Sequence, residues 1–445
     1  MRFTQLTERD VQHMLATIGI GHVGELFGGI PDRLRLDRPL DLPVPLTELE
    51  LLADLERLAD RNQGCNRQVC FLGAGIYDHF VPTVVDALAC RSEFVTAYTP
   101  YQPEAAQGAL QALYEYQTLI CELTGMDVSN SSLYEGASAV SEAVLMARSI
   151  NGRGRVVLPM TVHPHVRETL QTYLRDLPME IATCGMQDGR TSEDEFRSVV
   201  DGDTTAVVIQ TPNFFGCIER LDRLAEIARA AGSLVIASVD PLSCGLLKRP
   251  GQLGADIVVG DGQPLGIPMS FGGPTLGFMA CRDEFMRKLP GRLVGATTDL
   301  SGRRAYCLTL QTREQHIRRE RATSNICTNQ GLLAIRAAIY LSAVGPHGLT
   351  RIARLCLEKA HYAAQAIAAV DGFKLRFASP FFKEFVVQSD REVPRVLEQC
   401  RRAGILAGVP LGRWYPELAD CFMVACTEKR SKKEIDHLVG ALGKR

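Results

Sequence analysis

The sequence predicts an α/β protein built on a mostly parallel sheet with helices on both faces. From residue 131 onward, strand-like and helix-like segments alternate along the chain. The strand-like segments, such as TAVVIQ (205–210) and SLVIAS (233–238), are short apolar runs rich in Val and Ile, which is typical of strands buried on both faces. Repeated units of this kind place ligand sites outside the carboxyl ends of the strands.

The chain before the alternating part predicts a helical arm. Thr7 with Asp10, and Thr47 with Glu50, match the capping-box pattern at the start of two amphipathic segments. A stripe of leucines on the second helix is more typical of core packing than of catalysis. This stripe consists of Leu51, Leu52, Leu55 and Leu58.

Three regions follow from these patterns. Residues 1–65 are predicted to form an N-terminal helical arm that lies on the main body. Residues 66–340 form a large α/β domain, and residues 341–445 alternate short strands and helices as a small C-terminal α+β domain.

Composition excludes several classes of function. The 445 residues carry a formal net charge of -2, so no electrostatic footprint for nucleic acid or an anionic membrane is present. The 14 cysteines form no C-x-x-C pair and the nine histidines show no ligand spacing, so we expect reduced structural thiols and no metal site. The start has no signal-peptide pattern and no segment approaches a membrane span, which predicts a cytoplasmic protein.

Polar or glycine residues follow several successive strands of the predicted sheet. Because the carboxyl ends of parallel strands meet at one edge, we expect a cofactor site there, in which a helix start could cradle a phosphate and a histidine could stack on a flat ring. The alternative is close helix packing at the glycine and an ordinary surface or core histidine. The candidates are Gly136, Ala137 and Ser138 at a helix start, His163 after RVVLP, Asn213 after TAVVIQTP, and Asp240 after SLVIAS.

The segment after Asp240 has the frame of a cofactor enzyme without its covalent anchor. In enzymes that use pyridoxal phosphate, such a carboxylate pairs with the pyridine nitrogen, and a lysine soon after the next strand forms the Schiff base. Here ADIVVG (255–260) is followed by DGQPL, which contains no amine. Between Asp240 and Lys288 the only lysine is Lys248, which precedes that strand.

Two loops carry unusual compositions. In YTPYQPE (98–104), prolines restrict the backbone and present Tyr98, Tyr101, Gln102 and Glu104. This loop is predicted to be a site wall or an interface; the alternative is a rigid connection into a helix that begins near Glu104. CFLGAGIYDHF (70–80) lacks the third glycine of a nucleotide-binding loop, so a tight turn is predicted there.

Several longer motifs together resemble one known family. They are YTPYQPE, LTGMDVSNSSLYEGASA, GIPMSFGGPTLGFMA and LTLQTREQHIRRERATSNICTNQ. This combination closely resembles the glycine decarboxylase (P-protein) family of the glycine cleavage system, and in particular the first chain of its two-chain bacterial form. The resemblance spans nearly the whole chain.

The resemblance implies a type I pyridoxal-phosphate transferase fold and a division of the active site between two chains. Glycine is decarboxylated on pyridoxal phosphate, and the aminomethyl group passes to the lipoyl group of H-protein. The cofactor is bound covalently by the partner β subunit, in a heterotetramer, so no catalytic residue is expected on this chain. Asp240 then matches the pyridine-pairing aspartate, His163 the ring-stacking histidine, and Gly136 to Ser138 the phosphate loop, as remnants of a duplicated site.

Two alternatives remain at this point. The chain could be a scaffold that docks the partner subunit or H-protein and contributes nothing to the site. It could also be an independent pyridoxal-phosphate enzyme, similar to an aminotransferase, that uses Lys248.

Overall fold

The structure is a computed structural model that describes residues 5–36, 38–96, 98–322 and 324–444. Contacts divide it into two compact units, one up to Gln63 and one from Gly64 onward.

The described residues of the first unit form two α-helices, α1 (Glu8–Ile18) and α2 (Glu48–Ala59). Both capping boxes are confirmed: Thr7 N–H donates to Asp10 at 2.8 Å and Thr47 N–H donates to Glu50 at 2.8 Å. The expected core packing of the leucine stripe is wrong, because its four side chains are 41% to 54% exposed. Two short helices offer little core, and Leu15 is the one buried hydrophobic residue among those described in this unit.

The second unit contains the remaining elements. Its helices are α3 (Thr83–Ala89), α4 (Ser92–Val95), α5 (Gln107–Thr124), α6 (Gly136–Asn151), α7 (Pro164–Leu174), α8 (Glu193–Val199), α9 (Leu221–Ala230), α10 (Gln315–Arg318), α11 (Gly331–Ala368), α12 (Val393–Arg402) and α13 (Lys432–Gly443). Its strands are β1 (Val69–Cys70), β2 (Val128–Ser129), β3 (Arg155–Val157), β4 (Glu180–Ala182), β5 (Met186–Gln187), β6 (Arg190–Thr191), β7 (Thr204–Thr211), β8 (Leu234–Val239), β9 (Ile257–Asp261), β10 (Gly277–Cys281), β11 (Leu293–Thr298), β12 (Arg304–Thr309), β13 (Phe373–Leu375), β14 (Glu384–Ser389), β15 (Ile405–Leu406), β16 (Val409–Pro410) and β17 (Cys421–Ala425).

The predicted α/β sheet is confirmed. Seven strands lie in the order β2-β10-β9-β8-β7-β3-β4. The pairs from β9 to β4 are parallel, and β10 runs antiparallel to both of its neighbours. One apolar core packs α5, α9 and α11 against one face, and a second packs α6 and α7 against the other. The polar ends of β7, β8 and β9 therefore meet at one edge.

Two helices differ from expectation. The helix predicted to begin near Glu104 begins at Gln107, because residues 103–105 form a turn whose Pro103 carbonyl accepts from the Gln107 side chain at 2.7 Å. Among the described helices, α11 reaches the length and apolarity of a membrane span, contrary to the prediction that no segment would. It breaks at Gly345 and buries Ala338 and Leu341 in the core, which accounts for its composition.

A smaller antiparallel sheet follows, in the order β13-β14-β17-β16. Helices α12 and α13 pack on it through their own apolar core. The residues just before β14, Phe382 and Lys383, reach back to the larger sheet, where Phe382 N–H donates to Gly216 O at 3.1 Å. As a result, Lys383 and Glu384 lie beside the carboxyl ends of the strands of the larger sheet.

Candidate functional site

A cavity of about 200 Å³ lies at the carboxyl ends of β7, β8 and β9. The starts of α6 and α7, the loop 74–77, and the pair Lys383 and Glu384 complete its walls. Of the predicted site residues, Gly136, Ala137, His163 and Asp240 line it. The residues at the strand ends thus lie at this cavity as predicted, whereas most of the charged side chains that line it, such as Lys383 and Glu384, are not among the predicted site residues.

Asp240 is paired with a lysine from the smaller sheet. Lys383 Nζ lies 2.7 Å from Asp240 Oδ2, and the lysine side chain is only 2% exposed. The ammonium also donates to His79 Nε2 at 3.0 Å and lies 3.4 Å from the centroid of the Tyr77 ring. All three of its N–H directions are thus met inside the protein, as a buried charge requires.

A second carboxylate, Glu428, binds the side of His79 that faces away from Lys383. His79 Nδ1 lies 2.6 Å from Glu428 Oε2. Burial, and then the Lys383 ammonium, lower the pKa of His79, so the neutral ring donates from Nδ1 and accepts from the lysine at Nε2. Burial acts to raise the pKa of Glu428, but hydrogen bonds from His79 and from Phe80 N–H outweigh it and lower that pKa to about 2.

Carboxylates of the chain occupy the start of helix α6. The Glu135 carboxylate caps the helix, accepting from Ala137 N–H at 2.6 Å and from Ser138 N–H at 2.9 Å. Asp261 Oδ2 accepts from Gly136 N–H at 3.0 Å. Burial raises the pKa of Asp261 to about 6, against the hydrogen bonds that lower it. The N–H groups predicted to hold a phosphate therefore already hold two carboxylates.

His163 borders the cavity in a fixed orientation. Its Nε2 lies 2.9 Å from Ala74 O, and its Nδ1 accepts from His165 N–H at 3.1 Å. Burial lowers its pKa to about 4, so the ring is neutral and donates to the carbonyl. Phe214 meets it edge-on, with the ring centroids 4.8 Å apart.

The expectation that Asn213 joins this site is wrong. Asn213 is 1% exposed and does not line the cavity. Its amide donates to Gly189 O at 2.7 Å and Glu219 at 2.8 Å, and its carbonyl accepts from Phe215 N–H and Cys217 N–H. The chain turns after β7, so Asn213 stabilises this turn.

The loop 98–104 is also away from the cavity. Tyr98 is 84% exposed and Tyr101 is 48% exposed. Tyr101 Oη accepts from Arg292 Nη2 at 2.8 Å, and Gln102 and Glu104 are exposed. These four residues lie on the surface and do not line the cavity. The interpretation of the loop as an interface stays a prediction.

The glycine-rich segment predicted as a tight turn is a wall of the cavity. Ala74 N–H donates to Glu384 Oε1 at 2.8 Å, and Tyr77 Oη donates to Glu384 Oε2 at 2.8 Å. Burial raises the pKa of Glu384 to about 7. One signal could have found this region: Lys383 and Glu384 are adjacent charges between Phe382 and Phe385, next to an apolar strand.

One metal-like cluster exists among the described residues: His79, Cys356 and Glu428. Hydrogen bonds account for it without an ion. Both nitrogens of His79 are used, and Cys356 Sγ–H donates to Glu428 at 3.4 Å. A cation there would face the Lys383 ammonium beside His79 Nε2.

The residues present do not fit pyridoxal phosphate as they stand. The segment after β9 has no lysine, and Lys248 is exposed and does not line the cavity. The amine that does reach the cavity, Lys383, holds Asp240, and two carboxylates would repel a phosphate from the start of α6. The frame of a cofactor site is kept, but its polar groups satisfy one another.

The order of the strands and the cavity at their carboxyl ends show that this chain has the type I fold of pyridoxal-phosphate enzymes. Solved structures with this fold include a cysteine desulfurase from Thermococcus onnurineus (15% identity, TM-score 0.63, covering 85% of this chain and 94% of that one). A glutamate decarboxylase from Lactobacillus brevis is similar at 14% identity and TM-score 0.67, covering 94% of this chain and 96% of that one. At this identity the likeness concerns the fold alone.

The family follows from closer matches. The family model "Glycine cleavage system P-protein" matches residues 1–442, so the chain belongs to that family. A crystal structure of glycine decarboxylase (P-protein) in inhibitor-bound form has 44% identity and a TM-score of 0.92, covering 100% of this chain and 99% of that one.

Relatives of similar length carry a subunit name. "Probable glycine dehydrogenase (decarboxylating) subunit 1" of Desulforamulus reducens is 50% identical over 100% of this chain and 99% of the relative. The protein of the same name from Desulfitobacterium hafniense is 47% identical with the same coverage. The name "subunit 1" implies a heteromeric complex for these relatives.

Proposed function

We propose that this chain is the α subunit of a two-chain glycine decarboxylase and completes the active site of a β subunit. The observation that carries the proposal is the site without an anchor lysine, in a chain that matches the family from end to end. Pyridoxal phosphate supplies a sink for the electron pair left when carbon dioxide leaves glycine, and we assign its covalent binding to the β subunit. The aminomethyl group is then accepted by the lipoyl group of H-protein.

The exposed apolar surface of the first unit supports an obligatory partner. Eighteen of the thirty exposed large apolar side chains of the described residues lie in the first 63 residues, including the four leucines of α2. Exposed apolar surface on this scale is typical of a surface that another chain covers. We assign it to the β subunit, because relatives of the same length are named as one subunit of an enzyme.

The loop with Tyr98, Tyr101, Gln102 and Glu104 is our candidate for the part of this chain that reaches the partner's site. Its aromatic and acidic side chains are exposed, and Tyr101 is held by Arg292, whose guanidinium also lies 5.2 Å from the centroid of its ring. A restrained exposed loop loses little conformational entropy when a partner covers it.

Reconstitution tests the proposal. The chain alone, the β subunit alone and both together are each mixed with pyridoxal phosphate, lipoylated H-protein and glycine labelled in its carboxyl carbon. We expect labelled carbon dioxide only from the complete mixture. Release by this chain without the β subunit would refute the division of roles.

Substitution of the loop separates this function from the pure scaffold. Tyr101→Ala and Glu104→Gln are made separately, and complex formation is measured apart from turnover. We expect turnover to fall while assembly persists; normal turnover in both variants would favour the scaffold. Thr118→Ala, at an exposed position of α5, is a control from the same region.

Borohydride reduction addresses the independent-enzyme alternative. The chain is incubated with pyridoxal phosphate, reduced, and mapped by peptide mass. A stoichiometric adduct on Lys248 or Lys383 would favour a self-sufficient enzyme, and we expect none. For compartment, we propose the cytoplasm, in keeping with 14 cysteines that are all free in the structure.

A further inference from the structure

Charged side chains of this chain lie where the charged groups of a pyridoxal-phosphate cofactor would lie, and they carry the same signs. On the family assignment, Asp240 faces the place of a protonated pyridine nitrogen, and the start of α6 faces the place of a phosphate. In the structure a cation, Lys383, lies 2.7 Å from Asp240, and anions, Glu135 and Asp261, accept the N–H groups of the helix start. Each expected ligand group thus has a counterpart of the same sign.

The cation of this set is firmly held. Lys383 is the residue before β14, and its ammonium contacts Asp240, His79 and the ring of Tyr77. It lies at the aspartate, where the ring nitrogen of a cofactor would have to lie, so the two cannot bind Asp240 at the same time.

The anions are equally well placed. Glu135 binds two consecutive N–H groups through separate oxygens, and Asp261 binds a third while also accepting from Thr275 Oγ1 at 2.8 Å and Gln263 N–H at 2.8 Å. A phosphate would have to displace both carboxylates and then remain beside their charge.

We propose that this chain carries built-in stand-ins for a pyridoxal-phosphate ligand, with Lys383 in place of the pyridinium and Glu135 and Asp261 in place of the phosphate. The site is therefore closed by occupancy and charge, independently of the missing lysine. The inference rests on the proposed function, because the family resemblance behind that function is what matches Asp240 to the pyridine-pairing aspartate and the start of α6 to the phosphate loop. It also explains how the N–H groups at the start of α6 and the buried Asp240 find partners without a cofactor.

Pyridoxamine phosphate is the probe that separates the two causes of exclusion. It carries an amine where pyridoxal phosphate has an aldehyde, so its binding needs no lysine. If only the anchor were missing, the wild-type chain would still bind it through Asp240 and the start of α6. If the stand-ins close the site, the wild-type chain shows no saturable binding by equilibrium dialysis up to about 1 mM.

A matched pair of variants then tests the cation. Lys383→Met leaves Asp240 without its partner, and the pyridinium of the probe can replace the lost charge. Lys383→Met with Asp240→Asn removes both charges of the pair and offers the probe nothing. We expect pyridoxamine phosphate to raise the melting temperature of the single variant and to bind it at least about tenfold more tightly than the wild type. The double variant should show no shift.

The anions are tested by adding Glu135→Ala and Asp261→Asn to Lys383→Met. This variant should bind the probe more tightly again, and inorganic phosphate should compete. Circular dichroism and elution volume establish that each variant is folded. If the multiple variant does not fold, the wild type and the Lys383 pair still decide the matter.

Three results would overturn the inference. They are saturable binding of one equivalent by the wild type, equal binding by the single and double variants, and no gain for folded Lys383→Met. The reconstitution assay is scored separately on the wild-type chain with the β subunit. Wild-type binding of the probe with normal reconstitution would defeat this inference alone, whereas turnover by the chain without the β subunit would defeat the proposed function.

Discussion

The leucines of α2 give the sharpest test of the partner surface. Leu51 and Leu55 follow each other at i and i+4 on one side of the helix and are 46% and 51% exposed. Complete burial of a leucine contributes roughly 1.5–3 kcal/mol, so covering the exposed half contributes about 1 kcal/mol each. Leu51→Ala with Leu55→Ala should therefore weaken binding of the β subunit by about 2 kcal/mol, or roughly 30-fold in Kd.

Isothermal titration of each variant with the purified β subunit measures this loss. The melting temperature of the free chain should hardly move, because substitutions at exposed positions change stability by about 0.5 kcal/mol or less. Leu177→Ala is the matched control, since this leucine of the larger unit is 39% exposed. A Kd for the double variant within about twofold of wild type would refute the assignment of this surface to the β subunit.

Three further predictions concern the free chain. Burial raises the pKa of Glu384 to about 7, from about 4.3 in the unfolded chain, so the folded state binds the proton more tightly and stability falls as pH rises between these values. Between pH 5 and pH 7.5, urea unfolding should show wild type losing about 2 kcal/mol more stability than Glu384→Gln, and parallel losses would contradict this. The stability contributed by Glu428 depends on pH in the opposite direction, because hydrogen bonds hold its pKa at about 2 against burial. Wild type should lose stability as pH falls from about 4.3 towards 2, and an acid titration of Glu428→Gln should lack this loss. Asn213→Ala breaks four buried hydrogen bonds and should destabilise the isolated chain by about 2–4 kcal/mol in urea unfolding, with unchanged stability as the contrary result.

Local patterns in the sequence were enough for the sheet and for the position of the cavity. Val- and Ile-rich runs gave β7, β8 and β9, and polar residues that follow such runs must lie near the carboxyl edge of a parallel sheet. Asp240 and the start of α6 were found in this way. Asn213 obeyed the same spacing but belongs to a turn, because proximity along the chain does not fix the direction in which a side chain points.

By itself, the sequence determined that the segment after β9 offers no amine for a Schiff base, and that residues 98–330 carry the quoted motifs of the family. Tertiary structure alone decided what fills the site instead. Lys383 is 143 residues from Asp240 in sequence, and Glu428 is 349 residues from His79. No local pattern encodes such pairs, because they form only when the two sheets pack and buried charges must find partners in the same small volume.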